Sequence, residues 1–186
     1  MRIVGGEFKG RALDAPSGRD TRPTSDRTRE GVFNILAHAP WSPGLEGRRV
    51  LDLFAGSGAL GLEAMSRGAA FALFVEAEAA ARGAIRDNIE ALGLYGTTRI
   101  HRRDATDLGA KPAGLGAPFD LVFLDPPYGK GLGQRALARL KDGGWIETGA
   151  LVVFEVGADE TPEVAGFEAL DERSYGAANV LFLRAL

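Results

Sequence analysis

The stretch VLDLFAGSGALG, residues 50–61, decides the fold of this chain. Its first four residues include an apolar run that predicts a buried strand, and the stretch that begins at Leu60 and continues to Arg67 predicts a helix. Gly56 and Gly58 lie between the two and Gly61 lies at the start of the helical stretch, with the spacing of a nucleotide-binding loop. Such glycines let the backbone turn tightly and approach a ligand, and the N-terminus of the following helix attracts negative charge. The stretch therefore predicts an α/β fold with a nucleotide-like ligand at the end of its first strand.

The next strands support this interpretation. Residues 71–75, FALFV, predict a second strand that ends at Glu76, which follows Gly56 by 20 residues. An acidic side chain at this distance from the loop can accept hydrogen bonds from ribose hydroxyls. Residues 98–102 predict a short third strand that leads to Asp104 and Ala105. Strand, glycine loop, helix, strand and acid follow one another in the order that a nucleotide site needs.

A second motif, DPPY at 125–128, follows the apolar run FDLVFL at 119–124. Open α/β sheets bind ligands at the carboxyl ends of their strands, where this motif would lie. Each proline fixes φ and removes an N–H donor, so the turn is rigid and rich in acceptors, beside the flat ring of Tyr128. It suits a planar group that carries an NH2, such as a nucleobase or an amide. The alternative is an ordinary strand-ending turn, because proline and aspartate are common in turns.

The glycine loop alone does not separate NAD from S-adenosylmethionine, since each contains an adenosine. Two features favour S-adenosylmethionine. The carboxylate of Asp52, two residues before Phe54, could meet the cationic amino group of the methionine part, and NAD offers no such cation. The DPPY motif also suits a methyl-accepting amine, whereas no acid for hydride transfer is evident.

At these motifs the chain resembles a known family. DLFAGSGALGLEA at 52–64 and FLDPPY at 123–128 resemble the RsmD-like methyltransferases of bacterial small-subunit ribosomal RNA. The segment that starts with RIVGG at 2–6 and KGR at 9–11, and continues with TRPT at 21–24, Asp26–Arg27 and Arg29–Glu30, is similar to the leading segment of that family. The resemblance implies a class I S-adenosylmethionine-dependent fold, Rossmann-like, with a seven-stranded mostly parallel sheet and an N-terminal hairpin-helix extension. It also implies methylation of the exocyclic N2 of a guanine in 16S rRNA during 30S maturation.

The motifs and the resemblance together yield three sets of candidate residues. The candidate catalytic residues are Asp125, Pro126, Pro127 and Tyr128. The candidate cofactor-binding residues are Asp52, Phe54, Gly56, Ser57, Gly58, Glu76, Asp104 and Ala105, with Asp104 assigned by the resemblance to the adenine amino group. The candidate RNA-binding residues are Arg2, Lys9, Arg11, Arg22, Arg27 and Arg29.

The distribution of charge supports the RNA assignment more than the net charge of −3 does. Residues 1–29 contain seven basic and four acidic side chains, a net charge of +3, which leaves −6 on the remainder. A basic arm on an acidic body can hold phosphates. The competing interpretation is that these arginines pair with Asp20, Asp26 or Glu30 and only hold the extension in place.

The organisation of the chain follows from the same patterns. We expect residues 1–47 to form an extension, with a hairpin of 2–4 and 11–13 and a helix that starts at 23–26. It contains too few apolar residues for a core of its own, so it should pack on a methyltransferase domain at 48–186. Further elements are predicted as helices at 78–92 and 132–141, a strand at 150–156 and a terminal hairpin of 167–174 and 178–185.

Composition excludes several classes of site. Without cysteine, the chain has no disulfide, zinc-thiolate site or thiol nucleophile, and its two histidines, His38 and His101, are far apart in sequence. No stretch has the apolar core of a signal peptide or the length of a membrane span. We therefore expect a cytoplasmic monomer with no metal and no membrane contact.

Other functions fit the same motifs. Another amino methyltransferase, acting on adenine N6 in DNA or on a glutamine amide in a protein, would use the same DPPY turn. A different class would be a NAD-dependent oxidoreductase or a non-catalytic nucleotide-binding module. The basic N-terminal arm and its family-like sequence favour RNA.

Overall fold

A seven-stranded sheet forms the centre of the computed structural model, which describes residues 1–16 and 25–186. The strands are β1 (Arg49–Leu53), β2 (Phe71–Val75), β3 (Thr98–His101), β4 (Phe119–Leu124), β5 (Ile146–Gly157), β6 (Phe167–Tyr175) and β7 (Ala178–Ala185). The helices are α1 (Asp26–His38), α2 (Ala59–Ser66), α3 (Ala79–Leu92) and α4 (Leu132–Asp142), with short 3-10 turns at Tyr95–Thr97 and Ala113–Leu115.

The strand order is β3-β2-β1-β4-β5-β7-β6. The strands from β1 to β5 pair in parallel, and β7 pairs antiparallel with both β5 and β6. The predicted fold, a mostly parallel seven-stranded sheet with a terminal hairpin, is confirmed. The fifth strand is longer than predicted, because β5 starts at Ile146 rather than at Ala150.

Both faces of the sheet are covered, which explains why the central strands have almost continuous apolar sequences. Val50 and Phe74 belong to the core on the face that packs against α1, α2 and α3. Their neighbours in the same strands, Leu51 and Leu73, belong to the core on the face that packs against α4. Successive side chains of a strand point to opposite faces, so each strand contributes to both cores.

The helix α1 starts and packs largely as its sequence predicts. The Ser25 hydroxyl accepts a hydrogen bond from the Thr28 N–H at 3.0 Å and caps the N-terminus. Val32, Phe33 and Leu36 are buried, and the Phe33 ring lies 5.4 Å from that of Phe123 on β4. The helix therefore attaches the end of the extension to the sheet.

The N-terminal segment of the extension, in which Arg2 and Ala12 form an isolated β-bridge, is held by one buried carboxylate, that of Glu63 on α2. Its Oε1 accepts the Val4 N–H at 2.9 Å and lies 3.4 Å from Nε of Arg29. Its Oε2 accepts the Gly5 N–H at 3.0 Å and bonds to Nε of Arg67 at 2.9 Å. Glu63 thus binds two backbone amides and two guanidinium groups from three separate parts of the chain.

The expectation that Arg29 contacts RNA is wrong. Its side chain is completely buried, and besides Glu63 it bonds to the Arg2 carbonyl and, at 2.8 Å, to Asp26. Removing a guanidinium from water is tolerated only when it is well paired. For Arg29 the competing interpretation, that the arginine holds the extension in place, is correct.

Within the described ranges, no helix is long and apolar enough to cross a membrane. The same residues contain no group of three or more histidine, aspartate or glutamate side chains that could hold a metal ion.

The buried network around Glu63 leads to a stability prediction. We expect Glu63→Gln to lower the free energy of unfolding by about 3 kcal/mol or more, because it removes the buried negative charge that pairs with both Arg29 and Arg67. Urea unfolding of the variant and the wild type measures the difference. Glu168→Gln is the control, because this exposed residue pairs with Arg184 at 3.7 Å and should contribute less than about 1 kcal/mol. A loss for Glu63→Gln as small as that of the control would contradict this role.

Candidate active site

A cleft of about 640 Å³ opens at the carboxyl ends of the central strands. The register of the sheet creates it, since Leu53 of β1 lies beside Val75 of β2 and beside Leu124 of β4. The loops that follow these three residues therefore leave the sheet side by side. A volume of this size is typical of a site for a small-molecule ligand.

Most of the candidate residues line this cleft. Eleven of the twelve catalytic and cofactor candidates do so: Asp52, Phe54, Gly56, Ser57, Glu76, Asp104, Ala105, Asp125, Pro126, Pro127 and Tyr128. Two motifs that are far apart in sequence thus come together at one site.

Glu76 and the glycine loop are joined directly. The Gly56 N–H donates to Oε1 of Glu76 at 2.9 Å, and the Glu78 N–H donates to Oε2 at 2.9 Å. The carboxylate is therefore held in place from both sides. Each oxygen has a second lone pair, so both oxygens can still accept a hydrogen bond from a ribose hydroxyl.

Gly58 differs from the expectation, because it does not line the cleft. It precedes α2 with a φ of +80°, and a Cβ added there would lie 3.2 Å from the Phe74 ring and 3.4 Å from Ile85. The space beside Gly58 is thus filled by the core, whereas a Cβ at Gly56 would meet nothing within 4 Å. Gly58 shapes the turn, and Gly56 is the glycine that adjoins open space.

Phe54 directly follows β1 and has a φ of 55°, the only positive φ of a non-glycine residue in the described part of the chain. A residue held in this region costs on the order of 1–3 kcal/mol, and such strain is common at functional sites. Here it turns the chain from β1 into the glycine loop at the point where the cleft begins.

Asp52 is the buried acid of the site. It is 1% exposed and accepts the Gly61 N–H at 3.0 Å. Burial raises the pKa of this carboxyl to about 8, the nearby Glu76 charge adds to the increase, and the Gly61 hydrogen bond opposes it. A cationic group bound nearby would favour the ionised form. The site therefore fits the ammonium of the methionine part of S-adenosylmethionine.

The carboxylate of Asp104 is fixed by hydrogen bonds from Thr106. The hydroxyl and N–H of Thr106 donate to Oδ1 at 2.7 and 2.8 Å. These hydrogen bonds lower the pKa of Asp104 below its usual value, so the carboxylate is ionised at neutral pH. Ala105, which follows it, is buried against the core below the cleft.

The DPPY turn combines rigidity with access. Asp125 and Tyr128 are partly exposed, Pro126 is buried and Pro127 is exposed. The Tyr128 hydroxyl donates to Oε1 of Glu155 at 2.6 Å. The turn thus presents a carboxylate and an aromatic ring to the same cleft as the glycine loop.

Sequence reasoning missed one wall of the cleft, which Met1, Ala15 and Pro16 of the extension provide. Asn88 of α3 attaches this wall to the loop: it is buried, accepts the Asp14 N–H at 2.7 Å and donates to the Asp14 and Ser57 carbonyls at 3.0 Å each. The available signal was a polar residue on the apolar face of a predicted helix.

The remaining RNA-binding candidates differ in their surroundings. Arg2, Lys9, Arg11 and Arg27 are exposed. Arg2 lies 3.5 Å from Asp26, and Arg11 donates to the Ala91 carbonyl at 2.6 Å. Arg22 lies outside the described residues.

The fold and this cleft define an S-adenosylmethionine-dependent methyltransferase of the Rossmann-like class. The model of the family described as conserved hypothetical protein 95 matches residues 1–184, and the chain belongs to this family. The resemblance to RsmD-like proteins is also confirmed by curated relatives. Ribosomal RNA small subunit methyltransferase D of Escherichia coli K12 is 40% identical over 155 residues, which cover 83% of this chain and 74% of that protein.

Two further similarities extend over nearly the whole chain. A candidate rRNA methyltransferase of Bacillus subtilis, YlbH, is 35% identical over 182 residues, which are 97% of this chain and 96% of that protein. The solved structure of yhhF, a candidate methyltransferase of Escherichia coli, has a TM-score of 0.85 at 37% identity, and the match covers 100% of this chain and 97% of that one.

The raised pKa of Asp52 predicts a specific dependence of stability on pH. In the unfolded state this carboxyl loses its proton near its ordinary pKa of 3.8, whereas in the folded state it keeps the proton up to about pH 8. The contribution of this group to the free energy of unfolding therefore falls as pH rises from about 4 to about 8. Without cofactor, we expect Asp52→Asn to remove this slope, by up to about 5 kcal/mol across the window. Urea unfolding at pH 5 and pH 8 measures it, and parallel pH profiles for the variant and the wild type would refute it.

Proposed function

We propose that this chain transfers a methyl group from S-adenosylmethionine to the exocyclic N2 of a guanine in 16S rRNA during 30S maturation. The observation that carries the proposal is that the DPPY turn and the cofactor-binding residues line one cleft. The names of the curated relatives, which are small-subunit rRNA methyltransferases, support the RNA substrate.

When bound, S-adenosylmethionine supplies a methyl group on a sulfonium. Glu76 would accept hydrogen bonds from the ribose, Asp104 would accept one from the adenine amino group, and Asp52 would balance the charge of the ammonium. Gly56 allows close approach, because no side chain fills the space beside it. These residues would hold the cofactor in the same cleft that the DPPY turn lines.

The chain's task at the other reactant is to orient a weak nucleophile. The N2 of guanine shares its lone pair with the ring, so acceptors on its two hydrogens are needed to draw it toward a tetrahedral shape. The Asp125 carboxylate and the Pro126 carbonyl provide these acceptors. Tyr128 stacks on the target base once that base has left the stack of its RNA neighbours. Orientation of two reactants contributes roughly 7–11 kcal/mol in the best cases. The proton leaves to Asp125 after the nitrogen has become cationic, so this residue need not be a strong base beforehand.

Residues 1–47 act in this proposal as an RNA-contacting extension of the domain at 48–186. Four exposed basic side chains, Arg2, Lys9, Arg11 and Arg27, support this role. The substrate is 16S rRNA in a 30S particle or an assembly intermediate, and the enzyme acts as a cytoplasmic monomer.

The direct test is transfer of a tritiated methyl group to naked 16S rRNA and to 30S particles, both from a strain that lacks the enzyme. Nucleoside analysis should recover the label as N2-methylguanosine. Label only in adenine of DNA or in a protein glutamine would establish an alternative methyltransferase instead. Isothermal titration that detects NAD but not S-adenosylmethionine would refute the methyltransferase assignment.

Asp125 is expected to act mainly in the transition state. Asp125→Ala should lower kcat by roughly 10²–10⁴-fold, while the affinity for S-adenosylmethionine stays close to that of the wild type. Methyl-transfer kinetics and calorimetry measure the two quantities. Asp142→Ala, at the end of α4, removes an exposed carboxylate as the control. Equal losses of turnover and cofactor affinity in a folded Asp125→Ala would instead make this residue a cofactor ligand.

The extension is expected to bind RNA through phosphates. Replacing Lys9 and Arg27 together by Ala should weaken RNA binding and flatten the salt dependence, with a slope smaller by about 0.7–0.9 per lost contact. Affinity measured across a range of salt concentrations tests this. Lys111→Ala with Arg139→Ala is the charge-matched control, because Arg139 lies on the helix that covers the other face of the sheet. If the double variant has the same salt slope as the wild type, Lys9 and Arg27 do not bind phosphates and have only a structural or solvating role.

A further inference from the structure

Two acidic residues lie at the cleft edge of the sheet, Asp125 directly after β4 and Glu155 within β5. Leu124 of β4 lies beside Phe154 of β5 in a parallel register. The next residues along these two segments are Asp125 and Glu155. Asp125 lines the cleft, whereas Glu155 lines a smaller cavity of about 180 Å³. Pro126 and Pro127 line both spaces and therefore separate them. Glu155 thus lies on the side of the DPPY turn that faces away from the cleft.

The hydroxyl of Tyr128 connects the two sides. It donates to Oε1 of Glu155 at 2.6 Å, the length of a strong hydrogen bond between a hydroxyl and a carboxylate. The Tyr128 ring itself lines the cleft. The hydroxyl lies on the axis that runs through Cβ and the ring, so this hydrogen bond fixes the direction of that axis. Because a phenolic O–H prefers to lie in the ring plane, the bond also favours one orientation of the ring about the axis, which is what a stacking surface requires.

A second carboxylate fixes the backbone of the same turn. Glu160 accepts the Gly129 N–H through Oε1 at 2.8 Å and the Gly157 N–H through Oε2 at 2.5 Å. The residue after Tyr128 is thereby attached to the end of β5. Glu160 thus holds the backbone beside Tyr128, whereas Glu155 holds the hydroxyl at the far end of the Tyr128 ring.

We propose that Glu155 is a positioning residue, which holds the Tyr128 ring in the plane that stacks on the target base. The inference rests on the proposed function, because it assigns the ring to a nucleobase. A base that tilts on its stacking surface moves its amine away from the line of methyl transfer, and small misplacements of this kind cost rate rather than affinity. RNA affinity is dominated by phosphate contacts and is unaffected.

A double-mutant cycle tests the proposal. Tyr128→Phe keeps the ring and removes the hydroxyl, and Glu155→Ala removes the acceptor. Each single variant should lower kcat by about tenfold or more. The KM for RNA and the affinity for S-adenosylmethionine should stay unchanged. The kcat of the double variant should be no lower than that of the slower single variant. Glu155→Gln, which keeps an acceptor, should recover much of the rate. Glu163→Ala, an exposed glutamate of the neighbouring segment, is the control and should match the wild type.

Additive losses in kcat, or a Glu155→Ala variant with wild-type turnover, would overturn the proposal. If Glu155→Ala does not fold, Tyr128→Phe with wild-type turnover is sufficient to overturn it. Failure of the proposed function gives a different result, since the wild type would then methylate no RNA. In that case the same four proteins are compared by urea unfolding, where a lack of coupling between Tyr128 and Glu155 would also reject the contact.

Discussion

The parallel register of β1 with its two neighbours is the constraint on which the site depends. Leu53 lies beside both Val75 and Leu124, so three chain segments leave the sheet at one edge. The side chains of Asp52 and Tyr128, which are 76 positions apart, thereby share a cleft of about 640 Å³. A shift of one residue in either pairing would turn the strand's side chains to the opposite face. It would bury Glu76 or Asp125 instead of presenting it to a ligand.

The N-terminal extension is more closely connected to the cofactor loop than a simple RNA-binding arm would be. Glu63 binds the backbone at Val4 and Gly5, and it belongs to the helix that follows the glycine loop. Asn88 joins Asp14 to the Ser57 carbonyl within that loop. RNA bound to the exposed basic residues of the extension would therefore contact a segment that also forms a wall of the cofactor cleft. The proposed cofactor and RNA sites therefore share this structural element.

Sequence patterns predicted the strands well where apolar runs were continuous, and β2 and β4 have the predicted bounds. The early start of β5 was not predictable in this way, because Glu147, Thr148 and Gly149 interrupt the apolar pattern where the register between β4 and β5 is irregular. Motif spacing located the cleft but did not distinguish the glycine that adjoins open space from the one that faces Phe74. Counting charges likewise did not reveal that Arg29 is buried, since its partner Glu63 is 34 residues away. The contact of Glu155 with Tyr128 depends on strand pairing, which no local pattern contains.

The central claim is that strand register assembles one S-adenosylmethionine site from Glu76, Asp104 and the glycine loop, opposite Asp125. A crystal structure with bound S-adenosylhomocysteine tests it most directly. The account predicts ribose hydroxyls within hydrogen-bonding distance of Glu76 while the Gly56 N–H still donates to it. It also predicts the adenine beside Asp104 and Ala105, and the sulfur directed toward the DPPY turn. A ligand that lies elsewhere, or one that displaces the Glu76 carboxylate from Gly56 and leaves Asp104 without a contact, would contradict it.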